Sequence, residues 1–79
     1  MLQYRNNMII TNLQDIPKEP GIYKFRIKSN DKKYLGEGDD LYDRIVNQYP
    51  YEIKKEIDRP IIHALKFYGW NNIEIEIID

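Results

Sequence analysis

With 79 residues, of which 42% are hydrophobic and 32% charged, the chain has the size and composition of one small soluble domain, residues 1–79. The absence of cysteine excludes disulfides, thiolate nucleophiles and cysteine-based zinc sites, and one histidine excludes a histidine-rich metal centre. A net charge of −1 gives no overall attraction to nucleic acid, and no membrane-spanning run or signal peptide is visible, so a cytoplasmic protein without a membrane partner is expected.

Residues 1–20 form a mixed leader in which residues 8–10 are the only apolar run. A β-hairpin is predicted next, because residues 21–28 alternate between an apolar and a basic face. The two faces carry Tyr23, Phe25 and Ile27, and Lys24, Arg26 and Lys28. Ser29, Asn30 and Asp31 provide turn chemistry, so residues 33–36 should return as the second strand.

Two helices are predicted after the hairpin. Asp39 is a favourable N-cap for the first helix, which Pro50 should close. Its apolar stripe consists of Leu41, Tyr42, Ile45, Val46 and Tyr49. A short helical stretch is expected around residues 52–57, and a second clear helix has Pro60 in its first turn and Gly69 at its end.

The last predicted element is a strand over residues 72–78, where isoleucine alternates with glutamate. The order strand, strand, helix, helix, strand indicates an α+β domain. We therefore expect a small three-stranded, largely antiparallel sheet with flanking helices.

One spaced set of residues carries the chemistry of the chain. Gly21-Ile22-Tyr23 is followed after ten residues by Tyr34-Leu35-Gly36, and Arg44 lies eight residues further along, on a predicted helix. A phenol can order or deprotonate a water molecule, and a guanidinium group binds phosphate through two parallel hydrogen bonds. The set could therefore hold a scissile phosphate.

These motifs, their spacing and the arginine resemble the catalytic core of the GIY-YIG nuclease superfamily. The lead-in, residues 16–23, is similar to the start of the amino-terminal nuclease domain of the bacterial excision-repair subunit. Residues 64–73 are similar to a segment of phage and intron homing endonucleases. The resemblance covers about residues 13–79 and implies the same order of elements, β-β-α-α-β.

The resemblance implies a metal-dependent DNA endonuclease that hydrolyses a phosphodiester bond with Mg²⁺ or Mn²⁺, ions that carboxylates hold. Tyr23 would take a proton from the attacking water, Tyr34 would order the water or the phosphate, and Arg44 would neutralise charge in the transition state. The residues expected to bind the substrate are Lys24, Arg26, Lys32, Lys33 and Gln48.

The chain departs from the family pattern at the metal site. The metal-binding glutamate of the family lies on a helix after the third strand, and the sequence ends at Asp79. Glu74 and Glu76 are weak substitutes, because alternation with isoleucine favours a solvent-facing position. His63 is expected at the surface, away from the motif. Residues 36–43 carry four carboxylates and no basic residue, which should repel DNA.

Two functions of different class stay open. The chain is either a DNA endonuclease, or the truncated catalytic core of one, or it is a catalytically inactive protein of the same fold, of phage or mobile-element origin, that binds a protein or nucleic-acid partner. A third, weaker hypothesis is an inhibitor whose clustered carboxylates imitate phosphates. Substrate sequence, partner identity and oligomeric state are not determined by the sequence.

Overall fold

The computed structural model describes residues 8–78, which form a four-stranded antiparallel sheet with helices packed against one face. The strands are β1 (Met8–Ile10), β2 (Gly21–Ile27), β3 (Lys33–Gly38) and β4 (Ile73–Ile77), in the order β1-β4-β2-β3. The α+β class is confirmed, but the prediction of three strands was wrong. Residues 8–10 pair with β4, with Met8 opposite Ile77, and this partner lies too far along the chain to be visible locally.

The two faces of the sheet follow from the alternation along β2. Tyr23, Phe25 and Ile27 are buried beneath the helices, together with the three isoleucines of β4. The other face, which we call the outer face, carries Lys24 and Arg26. The core is completed from the helices by Leu41, Ile45, Tyr49, Ile62, Ala64 and Leu65.

The predicted hairpin is present, with Tyr23 opposite Gly36 and Phe25 opposite Tyr34. Its turn is closed by the side chain of Asn30, whose Oδ1 accepts a hydrogen bond from the Lys32 backbone N–H at 2.8 Å. Asp31 adopts φ 62°, a left-handed conformation that aspartate tolerates better than most residues. Because β3 lies at the edge of the sheet, only one of its sides is paired with another strand.

The first helix covers residues 41–54 without a break. It contains a π-helical segment (Asp43–Gln48) followed by an α-helical segment, α1 (Tyr49–Lys54). The predicted end at Pro50 was wrong, because Pro50 directly follows the π-helical segment and the helix continues through it to Lys54. The cap also differs from the prediction: the Asp43 backbone N–H donates to Oδ1 of Asp40, at 3.0 Å, rather than to Asp39.

The second helix, α2 (Pro60–Tyr68), starts with its proline as predicted and ends at Gly69. Gly69 has φ 80°, a value that residues with a Cβ rarely adopt, so glycine is required there. Short 3₁₀ turns cover Leu13–Asp15 and Trp70–Asn72. No helix within residues 8–78 is both long and apolar enough to span a membrane.

Candidate functional site

A pocket of about 350 Å³ opens between the hairpin, the first helix and the start of α2. The strands contribute Tyr23 and Phe25 from β2 and Tyr34 from β3 to its walls. The helical side contributes Arg44, Tyr49, Arg59, Pro60 and Ile61. The structure therefore brings the three motif residues Tyr23, Tyr34 and Arg44 to one concave surface.

Two buried tyrosines form the floor of this pocket. The hydroxyl oxygens of Tyr23 and Tyr49 are 2.6 Å apart and share a hydrogen bond. Both residues are almost fully buried, at 2% and 3% exposure. Burial, and then the hydrogen bond to Tyr23, raises the pKa of Tyr49 above its ordinary value. Tyr49 therefore stays protonated and can act as a hydrogen-bond donor to Tyr23.

Gly36, the glycine of the second motif, makes room for the Tyr23 ring. A Cβ atom at this position would lie 2.4 Å from Cζ and Oη of Tyr23, much closer than atoms can approach without displacement. Because Gly36 is directly opposite Tyr23 in the β2–β3 ladder, the ring lies across its backbone. The position of the tyrosine ring of the first motif therefore requires a residue without a Cβ in the second motif.

Arg44 is held over the tyrosine pair. Its guanidinium carbon lies 4.4 Å from the centroid of the Tyr49 ring, a cation–π contact. Its Nη1 donates to Oε1 of Gln48 at 3.0 Å and to Oε2 of Glu52 at 2.8 Å. Burial is the largest single influence and acts to lower the pKa of Arg44, but the hydrogen bond to Glu52 and the interactions with Tyr23 and Tyr49 together outweigh it, so the pKa lies above its ordinary value. Arg44 is therefore a fixed cation.

Glu52 links this arginine to a second one. Its other oxygen, Oε1, accepts a hydrogen bond from Nη2 of Arg59, whose guanidinium also lies 5.9 Å from the Tyr49 ring. Burial favours the neutral acid, but the two arginines outweigh it and lower the pKa of Glu52. Glu37 also lines the pocket, so two guanidinium groups are accompanied there by two carboxylates, of which Glu52 is bound by both arginines.

The π-helical segment explains how Glu52 reaches Arg44. Residues eight apart on a regular α-helix are rotated by about 80° from each other, because each residue turns about 100°. Here the Tyr49 backbone N–H donates to the carbonyl of Arg44, five residues back, which adds one residue to the turn. The added residue brings Arg44, Tyr49 and Glu52 to the same side of the helix.

Sequence reasoning missed Tyr49, Glu52 and Arg59 as members of this site. Tyr49 was predicted as part of the apolar stripe, which its burial confirms, but its hydroxyl is also used. Glu52 does not share a face with Arg44 in α-helical register, so no periodicity signal could have found it. Arg59 immediately precedes Pro60 and lies beyond the end of the helix that carries Arg44.

Lys24 and Arg26, predicted to bind the substrate, are on the outer face and not in the pocket. Lys24 pairs with Glu76 at 2.8 Å, and Arg26 pairs with Glu74 at 2.9 Å. The same contacts occupy the two glutamates that were weak candidates for metal binding. The physical reason is the two-residue period of a strand, which cannot direct Tyr23 and Lys24 to the same face.

The other predicted substrate residues are divided between the two faces. Lys33 lies opposite Arg26 and pairs with Asp31 at 3.1 Å, away from the pocket. Lys32 is near the pocket, with Nζ 5.8 Å from the centroid of the Tyr34 ring. Gln48 contacts Arg44 and also donates to Oδ2 of Asp43 at 2.8 Å. Gln48 therefore positions Arg44.

The pocket does not fit the divalent ion that the family resemblance implies. Within residues 8–78, no group of three or more acidic or histidine side chains could hold a metal. Glu52, the carboxylate nearest Arg44, is already bound by two arginines. His63 is exposed, as predicted, and its Nε2 lies 2.7 Å from Asp58. The arginines are thus the cationic groups of this pocket.

Comparison with family models, curated proteins and solved structures gave no match to this chain. The chemistry of the pocket therefore rests on its own geometry. That geometry combines two guanidinium groups and three phenols around a concave surface, with Glu52 bound to both arginines and Glu37 in the wall of the pocket.

Proposed function

We propose that the pocket binds a phosphodiester group of DNA and that the chain is a GIY-YIG-type endonuclease or the catalytic core of one. The observation that carries this proposal is the convergence of Tyr23, Tyr34 and Arg44 on one pocket, from three elements and three separate parts of the sequence. The sequence motifs named these residues independently of the structure, and Arg59 adds a second guanidinium group to them.

The donors of the pocket suit a phosphate. Both contacts of Arg44, with Gln48 and Glu52, use Nη1, so its other N–H groups can donate to a phosphate oxygen. Arginine is well matched to a phosphate because its planar fork can donate two parallel hydrogen bonds. Tyr34, which also lines the pocket, offers a further hydroxyl donor.

The tyrosine pair can position a water molecule. Tyr49 can donate the hydrogen bond that joins the two hydroxyls, which leaves the Tyr23 hydroxyl to contact a water in the pocket. Tyr23 would orient the attacking water, while Arg44 would neutralise charge on the phosphate.

The test compares substitutions of two arginines, Arg44 in the pocket and Arg26 on the outer face of the sheet. Arg44→Ala should weaken binding of a fluorescent DNA oligonucleotide about 10- to 100-fold, since a hydrogen bond to a charged group contributes about 1.5–3 kcal/mol. Arg26→Ala is the matched control, because Arg26 lies on the outer face, and it should leave binding nearly unchanged. Equal affinities of the two variants would contradict the proposal.

A second candidate is a catalytically inactive protein that keeps the pocket for binding. It is supported by the engagement of Glu52 with both arginines and by the poor fit to a metal. A cleavage assay on plasmid and on single-stranded DNA, with Mg²⁺ and Mn²⁺, separates the two candidates. Cleavage that Arg44→Ala abolishes supports the endonuclease, whereas DNA binding with cleavage at background level supports the inactive protein.

A further inference from the structure

A groove of about 360 Å³ borders the pocket on its α2 side. Tyr34 and Pro60 line both cavities. The part of the groove beyond them is formed by Lys32, His63, Phe67 and Tyr68. We propose that this groove holds an unpaired nucleobase adjacent to the phosphate in the pocket, so that the substrate is a single-stranded nucleic acid; this rests on the proposed function.

Phe67 presents an aromatic face to the solvent. It is 81% exposed, the highest value among the exposed large apolar side chains of residues 8–78. Its ring packs edge-to-face on Tyr68, with centroids 4.8 Å apart and an interplanar angle of 87°. This contact supports the ring of Phe67 at one edge and leaves ring surface free. Aromatic side chains held in this way are the surfaces on which unpaired bases stack.

The polar groups of the groove complement a nucleotide. Lys32 extends over the Tyr34 ring, at the boundary between groove and pocket. Lys24, Lys33 and Lys66 each pair with a carboxylate, whereas no carboxylate of residues 8–78 lies within ion-pair distance of Lys32. Its charge is therefore available to a phosphate that leads from the pocket to the groove. A cationic path with aromatic platforms is the usual arrangement for single-stranded nucleic acids.

The arrangement favours a single strand over a duplex. A base must leave its stack before it can lie on a protein aromatic ring, and this costs least in a strand that is already unpaired. The acidic loop of residues 36–43 also leaves little basic surface beside the pocket for the second strand of a duplex. The two adjacent cavities can contact one phosphate and one neighbouring base.

The test measures fluorescence anisotropy with three probes: a single-stranded DNA oligonucleotide, an abasic strand of the same length and a duplex. Phe67→Ala should weaken binding of the base-containing strand about 5- to 150-fold and leave the abasic strand unchanged. Tyr51→Ala is the matched control, because Tyr51 is also an exposed aromatic residue, at 59% exposure, but lines neither cavity, and it should change neither. The exposure of Phe67 means that its variant should fold, which circular dichroism checks.

Arg44→Ala, measured beside these variants, separates failure of the groove from failure of the pocket. Weakening of both single strands by Arg44→Ala, with base-dependent weakening by Phe67→Ala, supports the proposal. Weaker binding by Arg44→Ala with unchanged binding by Phe67→Ala overturns the role of the groove and leaves the role of the pocket supported. Loss in Phe67→Ala alone, or no binding of any probe, overturns both. Equal affinity for duplex and single strand overturns the single-strand assignment.

Discussion

The two faces of the sheet use charged residues in opposite ways. On the outer face, Lys24 and Arg26 are matched one to one by Glu76 and Glu74 on the neighbouring strand. Under the helices, Arg44 and Arg59 share the single carboxylate Glu52 beside a cavity. The outer face has more charged groups, yet its ion pairs satisfy each other. Two arginines that share one carboxylate at a concave surface therefore mark the candidate site better than the number of basic residues does.

The largest expected difference between the faces is in stability. Phe25 is fully buried, and its ring packs against Tyr23, Tyr49 and Trp70 at centroid distances of 5.1, 5.2 and 5.7 Å. Phe25→Ala should lower the free energy of unfolding by about 3–5 kcal/mol, whereas Leu35→Ala on the outer face should change it by less than about 0.5 kcal/mol. Urea denaturation followed by circular dichroism measures both; similar losses would mean that the outer face is also packed.

A smaller effect on stability is expected at Gly36, where the hairpin contacts the floor of the pocket. Gly36→Ala places a methyl group against the Tyr23 ring and should cost about 1–3 kcal/mol of stability, with weaker oligonucleotide binding. Gly38→Ala is the control on the same strand, since its Cβ would lie 3.2 Å from Cβ of Arg44 and needs only a small shift. A Gly36→Ala variant that is as stable as Gly38→Ala would show that Tyr23 moves away freely.

The tyrosine hydrogen bond should have an effect of about 1–2 kcal/mol. Tyr49→Phe leaves the buried hydroxyl of Tyr23 without its partner, and an unpaired buried hydroxyl is costly. Removal of both hydroxyls, in Tyr23→Phe with Tyr49→Phe, should cost less than the sum of the single changes. Tyr51→Phe, at an exposed tyrosine, is the control and should be neutral. Strict additivity would show that the two hydroxyls do not interact in solution.

The smallest expected effect is on the pH dependence of stability. The pKa of Glu52 is lowered in the folded state, so its contribution is present above its ordinary pKa of 4.5 and is lost as the pH falls through the folded value. Glu52→Gln should therefore reduce the loss of stability on acidification below about pH 4.5, by under about 1 kcal/mol after solvent screening. Urea midpoints between about pH 6 and pH 3 measure this. Glu74→Gln, on the more exposed outer face, should have a smaller effect.

Local periodicity was sufficient for most of the fold. The strands β2 and β4 and the helix α2 follow from spacing of two and of three to four residues, because each buries one face. β1 was missed because a three-residue run has no period of its own and depends on its pairing with β4. The end of the first helix was misplaced because the effect of Pro50 depends on its position within the helix.

The candidate site was predicted only as far as its motif extends. Tyr23, Tyr34 and Arg44 come from spacing in the sequence, and the structure brings them together. The basic residues on β2 were assigned by charge alone, although the same alternation that buries Tyr23 directs Lys24 and Arg26 to the outer face. The extra residue in the π-helical turn has no signature in the hydrophobic pattern, so the sequence could not assign Glu52 to the site.

Because of the π-helical segment, the number of residues between Arg44 and Tyr49 matters for the pocket. Deletion of one residue from Asp43–Gln48 would restore a regular α-helix, which has the more favourable hydrogen-bond pattern. Deletion of one residue between Arg44 and Tyr49 would place the tyrosine four residues and the glutamate seven residues after Arg44, spacings that lie on one side of a regular α-helix. A regular α-helix of unchanged length would instead rotate Tyr49 by about 140° and Glu52 by about 80° from Arg44. The pocket should therefore tolerate a shorter segment better than a regular helix of the present length, a difference that comparison of residue identities alone would not reveal.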